Sequence, residues 1–237
     1  MGTYPGEVRE NNLSGIYCRI AMKSYYDAAV FYRELQNSDF AWDQHEKEDE
    51  IAKLAIITVV FSAMCLESFF NNYIAACLGD SIFFDNYDKL SPQAKFHLIA
   101  KFILHTEIDK SKYYYGGLVK LFHQRNKYVH NKSKKMKFQG YTADELTLRT
   151  QVGFSTRVSY DEPPALDKET IAKDVQEALD SLNTIRAVAE FFDLYDSDCW
   201  AMVTLFGKHS LKFVSQYEKE AIMYVFQKLR ISGYEEL

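Results

Sequence analysis

Leu54-Ala55-Ile56-Ile57-Thr58-Val59-Val60-Phe61-Ser62-Ala63-Met64-Cys65-Leu66-Glu67-Ser68-Phe69-Phe70-Asn71-Asn72-Tyr73-Ile74-Ala75-Ala76-Cys77-Leu78 is the stretch that decides the fold class. Apolar residues fall on nearly every side of a helical wheel drawn through it, and such a helix belongs in the middle of a bundle. A membrane span needs roughly 20 apolar residues and would not carry Ser62, Glu67, Ser68, Asn71 and Asn72 along its length. The reading is therefore a core helix from about His45 to Leu78, with Gly79 as its stop.

The composition agrees. The apolar fraction is 47% and the aromatic fraction 15%, enough to build a core. Only 10 glycines and 4 prolines occur in 237 residues, too few for the many turns of a sandwich or barrel. The net charge of −5 gives no global attraction to nucleic acid, so any RNA-binding surface must be a local patch. Met1 to Asn12 shows no charged segment followed by an apolar run, hence no secretory signal. Cys18, Cys65, Cys77 and Cys199 lack zinc or redox spacing and read as reduced thiols. These features predict a cytoplasmic protein with no membrane partner.

Outward from the core helix, apolar residues recur at helical spacing from Leu13 to about Gln36. Ser91-Pro92 opens a further helix with a capping serine before proline, its core face using Phe96, Ile99, Phe102 and Ile103. Another runs from about Tyr113 to Val129, with Gly116-Gly117 near its start, and a strong one from Asp167 to about Leu194. Residues 146–160 alternate polar and apolar, which suggests a short β-hairpin or an ordered excursion inside a 133–166 insertion. Trp200 to Phe206 and Leu211 to Leu229 read as a helical extension within 197–237. The expected fold is all-α: an antiparallel bundle of four to five long helices over 13–195, with a C-terminal helical extension.

The chemistry concentrates in Arg125-Asn126-Lys127-Tyr128-Val129-His130. An arginine pairs its planar fork with a phosphate, and a histidine takes or gives a proton near neutral pH. Asn126 and His130 are four apart and share a helix face, so the amide is placed to orient the imidazole or bind substrate. Arg125 and His130, five apart, lie about 140° from each other around one helix. They converge only if the helix ends near Val129 or a second chain completes the site. Lys127, Lys132, Lys134 and Lys135 form a basic cluster that either guides an RNA backbone or is a solvated loop. Tyr113, Tyr114 and Tyr115 are candidates for base stacking, against a core or interface role. The histidines, cysteines and carboxylates show no ligand spacing for a metal, and no phosphate loop or nucleophile elbow is present.

Arg125, the polar Asn126 after it, and His130 resemble the R-x4-H signature of the HEPN superfamily, whose members are all-α bundles and in many cases metal-independent endoribonucleases. Glu67 in its aliphatic run, followed by Asn71, is similar to a second feature of those helices. The resemblance covers about 13–195. It implies a homodimer whose two motifs meet in one cleft and cleave RNA through its 2′-hydroxyl without a cofactor. In that reading Arg125, His130 and Asn126 are catalytic, Glu67 supports them, and the products carry 2′,3′-cyclic phosphate and 5′-hydroxyl ends. It also implies a role in phage defence or stress response, with a regulatory or antitoxin partner. Some toxin members carry a tyrosine two residues after the histidine; this chain has Lys132. A different reading remains: Arg125 and His130 cap a helix end, Glu67 pairs with a buried cation, and the protein is a non-catalytic dimerisation or ligand-binding module.

Overall fold

Among the residues that the computed structural model describes (13–37, 41–130, 168–196, 198–199, 201–206 and 215–231), every regular element is a helix. In chain order they are α1 (Ser14–Gln36), α2 (Ala41–Leu78), α3 (Asp80–Asn86), α4 (Pro92–Leu98) running into a π-helical turn (Ile99–Ile103), α5 (Tyr113–Val129), α6 (Lys168–Tyr195), α7 (Ala201–Phe206) and α8 (Gln216–Leu229). The expected hairpin around 146–160 lies outside the described residues, as do Lys132, Lys134 and Lys135.

Cross-helix contacts fix the directions. Glu34 of α1 pairs with Lys47 of α2 at 3.2 Å, and the rings of Tyr17 and Phe61 lie 5.8 Å apart, so α1 and α2 are antiparallel. Along α2 and α6 the partners climb together: Ser62 with Ser181 at 3.2 Å, Phe69 with Phe192 at 4.8 Å between rings, Tyr73 with Asp196 at 2.6 Å. Those two helices are parallel. The α5–α6 partners run in opposite order, Lys120 with Asp180 at 2.8 Å and Tyr114 with Phe191 at 4.9 Å. Thus α1 and α5 run against α2 and α6, the alternation of a four-helix bundle.

Two buried hydroxyls of α2 have partners inside the bundle. The buried Ser62 hydroxyl shares a hydrogen bond with Ser181, and buried Thr58 donates back to the Leu54 carbonyl at 2.8 Å. α2 is also long and apolar enough to cross a membrane by length and composition; it packs against α1, α5 and α6. All four cysteines are free thiols. Burial and the neighbouring Cys18 push the Cys65 thiol up, which disfavours its reactive thiolate.

Short elements begin and end where the local chemistry dictates. Ser91 accepts from the Ala94 N–H at 3.2 Å with Pro92 in the first turn. Ser215 and Glu218 form a reciprocal capping box for α8. Gly79 ends α2 at φ 92°, a conformation that a side chain would strain. α7 and α8 fold back on the bundle: Tyr217 and Tyr224 pack against Tyr26 of α1 at 5.7 and 5.4 Å, and Phe206 and Phe226 belong to the same core as α2 and α6.

One predicted core face is corrected. Phe96 and Ile99 are buried as the periodicity requires, but Phe102 is 73% exposed. The cause is the π-helical turn, in which the Leu104 N–H reaches back five residues to the Ile99 carbonyl at 2.9 Å. Widening the turn rotates the following side chains off the helical register. We therefore expect Phe96→Ala to cost about 3–5 kcal/mol in urea unfolding, while Phe102→Ala changes stability by less than about 0.5 kcal/mol.

Candidate functional site

α5 carries the motif, and its packing decides what the motif residues can do. Leu118, Leu121 and Phe122 form its buried stripe. Gly117 lets it approach α6 closely: a Cβ there would sit 2.6 Å from Thr184 Oγ1. Thr184 is itself buried and held, its hydroxyl donating to the Asp180 carbonyl at 2.8 Å. The Asp180 carboxylate then accepts from Lys120 and from Gln176, each at 2.8 Å. Further along, the Tyr128 hydroxyl reaches Glu177 at 3.5 Å. Burial, with Glu177 beside it, lifts the Tyr128 hydroxyl to about 12. Gly117, one of the pair that blurs the start of this helix in sequence, is the point of close approach.

At the far end, α5 stops at Val129. His130 leaves helical geometry (φ −111°, ψ 42°), and its N–H still bonds the Asn126 carbonyl at 2.9 Å. Its side chain is exposed. One of the two conditions that the spacing imposed, a helix that ends near Val129, is therefore met within the single chain. Arg125 is half-buried, and its Nη1 donates to Asn126 Oδ1 at 3.0 Å. Its Nε is enclosed with no acceptor among the described residues. An enclosed donor of this kind costs about 1–3 kcal/mol. The structure thus brings Arg125 to Asn126, while His130 is tied to Asn126 through the backbone.

Lys127 is exposed, with its ammonium 6.0 Å over the Tyr128 ring. It also faces acidic α6: Asp174 is held above the usual carboxylate range by burial and Glu177, an effect that Lys173 and Lys127 oppose. Among the four lysines of the expected basic cluster it is the one whose surroundings are described, and they include carboxylates.

Glu67 sits half-buried on α2, away from the motif in sequence, and the cation in its field is Lys95 of α4. Lys95 is only 1% exposed; it donates to Asn71 Oδ1 and to the Asp88 carbonyl, both at 2.7 Å, and lies 5.6 Å over the Phe83 ring. Burial lowers its pKa, and Glu67 and Asp88 counter that. The embedded Glu67 and the Asn71 one turn later form part of a socket for this lysine, which clamps α3 and α4 to α2. Sequence reasoning missed Lys95; its one signal is a lysine beside the core residue Phe96. Among the described residues no group of His, Cys, Asp and Glu is gathered to hold a metal ion.

The chain matches no protein-family model, no curated protein and no solved structure.

The two glycines give opposite expectations. Gly117→Ala should cost about 1–3 kcal/mol in thermal or urea unfolding, and Thr184→Ala should recover much of that loss by removing the atoms it strikes. Gly116→Ala meets nothing within 4 Å and should stabilise α5 by about 0.5–1 kcal/mol.

Proposed function

We propose that the chain is a HEPN-like, metal-independent endoribonuclease that acts as a homodimer through Arg125 and His130. The observation that carries the reading is the end of α5 at Val129. It frees His130 from the helical register in which its side chain would diverge from Arg125, and leaves the imidazole in solvent. The outward stripe of the same helix supports a second copy. Val119, His123 and Asn126 follow one another at four- and three-residue steps and are exposed, and the exposed His130 lies just past the end of the helix. Val119 leaves 40% of its surface uncovered on that stripe.

In the proposed reaction one His130 removes the 2′-hydroxyl proton of the RNA. The 2′-oxygen attacks the adjacent phosphorus, and Arg125 stabilises the charge that builds on the non-bridging oxygens. The same imidazole, now protonated, gives that proton to the departing 5′-oxygen. The P–O5′ bond breaks, leaving a 2′,3′-cyclic phosphate and a 5′-hydroxyl. Asn126 holds the Arg125 fork through its Oδ1. A cytoplasmic role in phage defence or stress response, and control by a partner protein, follow from the family resemblance as part of the same proposal.

The second reading is a non-catalytic helical module that binds a partner or small ligand. The bond from Arg125 to its own neighbour Asn126 favours it, because a guanidinium so engaged can serve as a local brace. The two separate on single-stranded RNA with EDTA present. The enzyme reading expects cyclic-phosphate products, and a loss of about a hundredfold or more in Arg125→Ala and in His130→Ala. No cleavage by the wild type, or equal cleavage by both variants, would overturn it.

A further inference from the structure

α4 and the segment that follows its π-helical turn enclose a cavity of about 500 Å³. Ala94, His97, Leu98 and Lys101 form one wall, spaced at helical steps along a single face. Thr106, Glu107 and Ile108 form the other, and Phe102 of the π-helical turn joins them. A cavity of that size is in the range of small-molecule sites. Neither Arg125 nor His130 lines it.

Both walls are held in place. The Leu104 N–H closes the π-helical turn on the Ile99 carbonyl at 2.9 Å, and the Thr106 N–H bonds the Ala100 carbonyl at 2.8 Å. Between them His105 takes a left-handed backbone at φ 51°, uncommon for a residue with a side chain. The Asp109 N–H donates to the Tyr114 hydroxyl at 2.9 Å, which pins the far end of the segment to α5. His97 is half-buried, its Nε2 lying 3.4 Å from the Tyr115 hydroxyl. A ligand that enters walls already ordered in this way loses little affinity to ordering them.

The charges on these walls are complementary to a particular kind of molecule. Lys101 from one wall pairs with Glu107 from the other, and their side chains are 59% and 81% exposed. An exposed ion pair is weak, so a ligand parts it at small cost. A ligand with one charge would leave either the lysine or the glutamate without its counter-charge, whereas a zwitterion satisfies both. Because the two side chains pair directly, the matching zwitterion carries its charges close together, as on the single α-carbon of an amino acid. The end of a peptide carries only one of them. The remaining surface is apolar, through Leu98, Ile108 and the uncovered ring of Phe102. We propose that this cavity binds a free apolar α-amino acid. Its carboxylate lies on Lys101, its ammonium on Glu107, and its side chain against Leu98, Ile108 and Phe102, two charge-assisted contacts and one apolar one. The proposal stands independently of the ribonuclease reading, because it uses neither Arg125 nor His130.

The test is calorimetric titration of L-phenylalanine into the full chain. Hydrocinnamate, phenethylamine and glycine serve as probes that lack the ammonium, the carboxylate and the side chain in turn. L-phenylalanine should bind saturably, and each of the three probes about tenfold or more weakly. Lys101→Ala should weaken L-phenylalanine about tenfold without weakening phenethylamine, which has no carboxylate to lose. Glu107→Ala should weaken L-phenylalanine to a similar degree without weakening hydrocinnamate. Phe102→Ala should weaken L-phenylalanine and spare glycine. These three side chains are exposed, and unaltered circular-dichroism melting separates lost binding from lost folding. No saturable binding of L-phenylalanine overturns the proposal. So does a singly charged probe that binds as tightly, or an affinity that neither charge substitution moves.

Discussion

A helix that is apolar on almost every side is stable only when it is surrounded, and α2 imposes that requirement on the whole chain. α1 covers it from one direction and α6 runs alongside in the other, with Phe69, Phe70, Tyr73 and Phe192 forming the aromatic centre between them. The polar residues that α2 still carries do not loosen this packing, because Ser62 meets Ser181 and Asn71 meets Lys95. The buried Ser62 and the half-buried Asn71 each have a partner on another helix that offsets their desolvation. With α2 and α6 in place, the position of α5 follows from a second constraint, the close passage of Gly117 over Thr184. The motif is thereby carried to the far end of a helix fixed on a rigid base.

Much of this is legible in the sequence. The all-round apolar pattern of α2, the serine–proline opening of α4 and the period of α6 are local signals, and local signals survive folding. The end of α5 at Val129 was one of two conditions derived from the spacing of Arg125 and His130 alone. What sequence could not reach is tertiary. The π-helical turn at Ile99–Ile103 has no composition of its own, so Phe102 reads as core and points outward. Lys95 looks like a surface lysine until Glu67, Asn71 and the Asp88 carbonyl are seen around it. Gly116 and Gly117 are indistinguishable in sequence, yet one faces open space and the other a threonine.

The same distinction separates the parts of the candidate site. Arg125, Asn126 and His130 are neighbours in the chain, and their local geometry follows from where one helix stops. Glu67 belongs to another environment, where its charge favours a buried ammonium that holds α4 in place; in the proposed enzyme its support is to the scaffold. Lys127 points toward the acidic residues of α6 as well as toward solvent, so its contribution to an RNA track is tempered by charges within the chain. The α5–α6 seam therefore gives rigidity, and the outward stripe of α5 is the face left for recognition.

In the proposed enzyme two chains share the motif in one working site. Subunit exchange tests this directly: Arg125→Ala and His130→Ala chains, each inactive as homodimers, are mixed and allowed to re-associate before RNA is added. The account predicts that cleavage reappears in the mixture, because a mixed dimer places an intact Arg125 from one chain beside an intact His130 from the other. A mixture that forms mixed dimers and cleaves no more than either variant alone would contradict it.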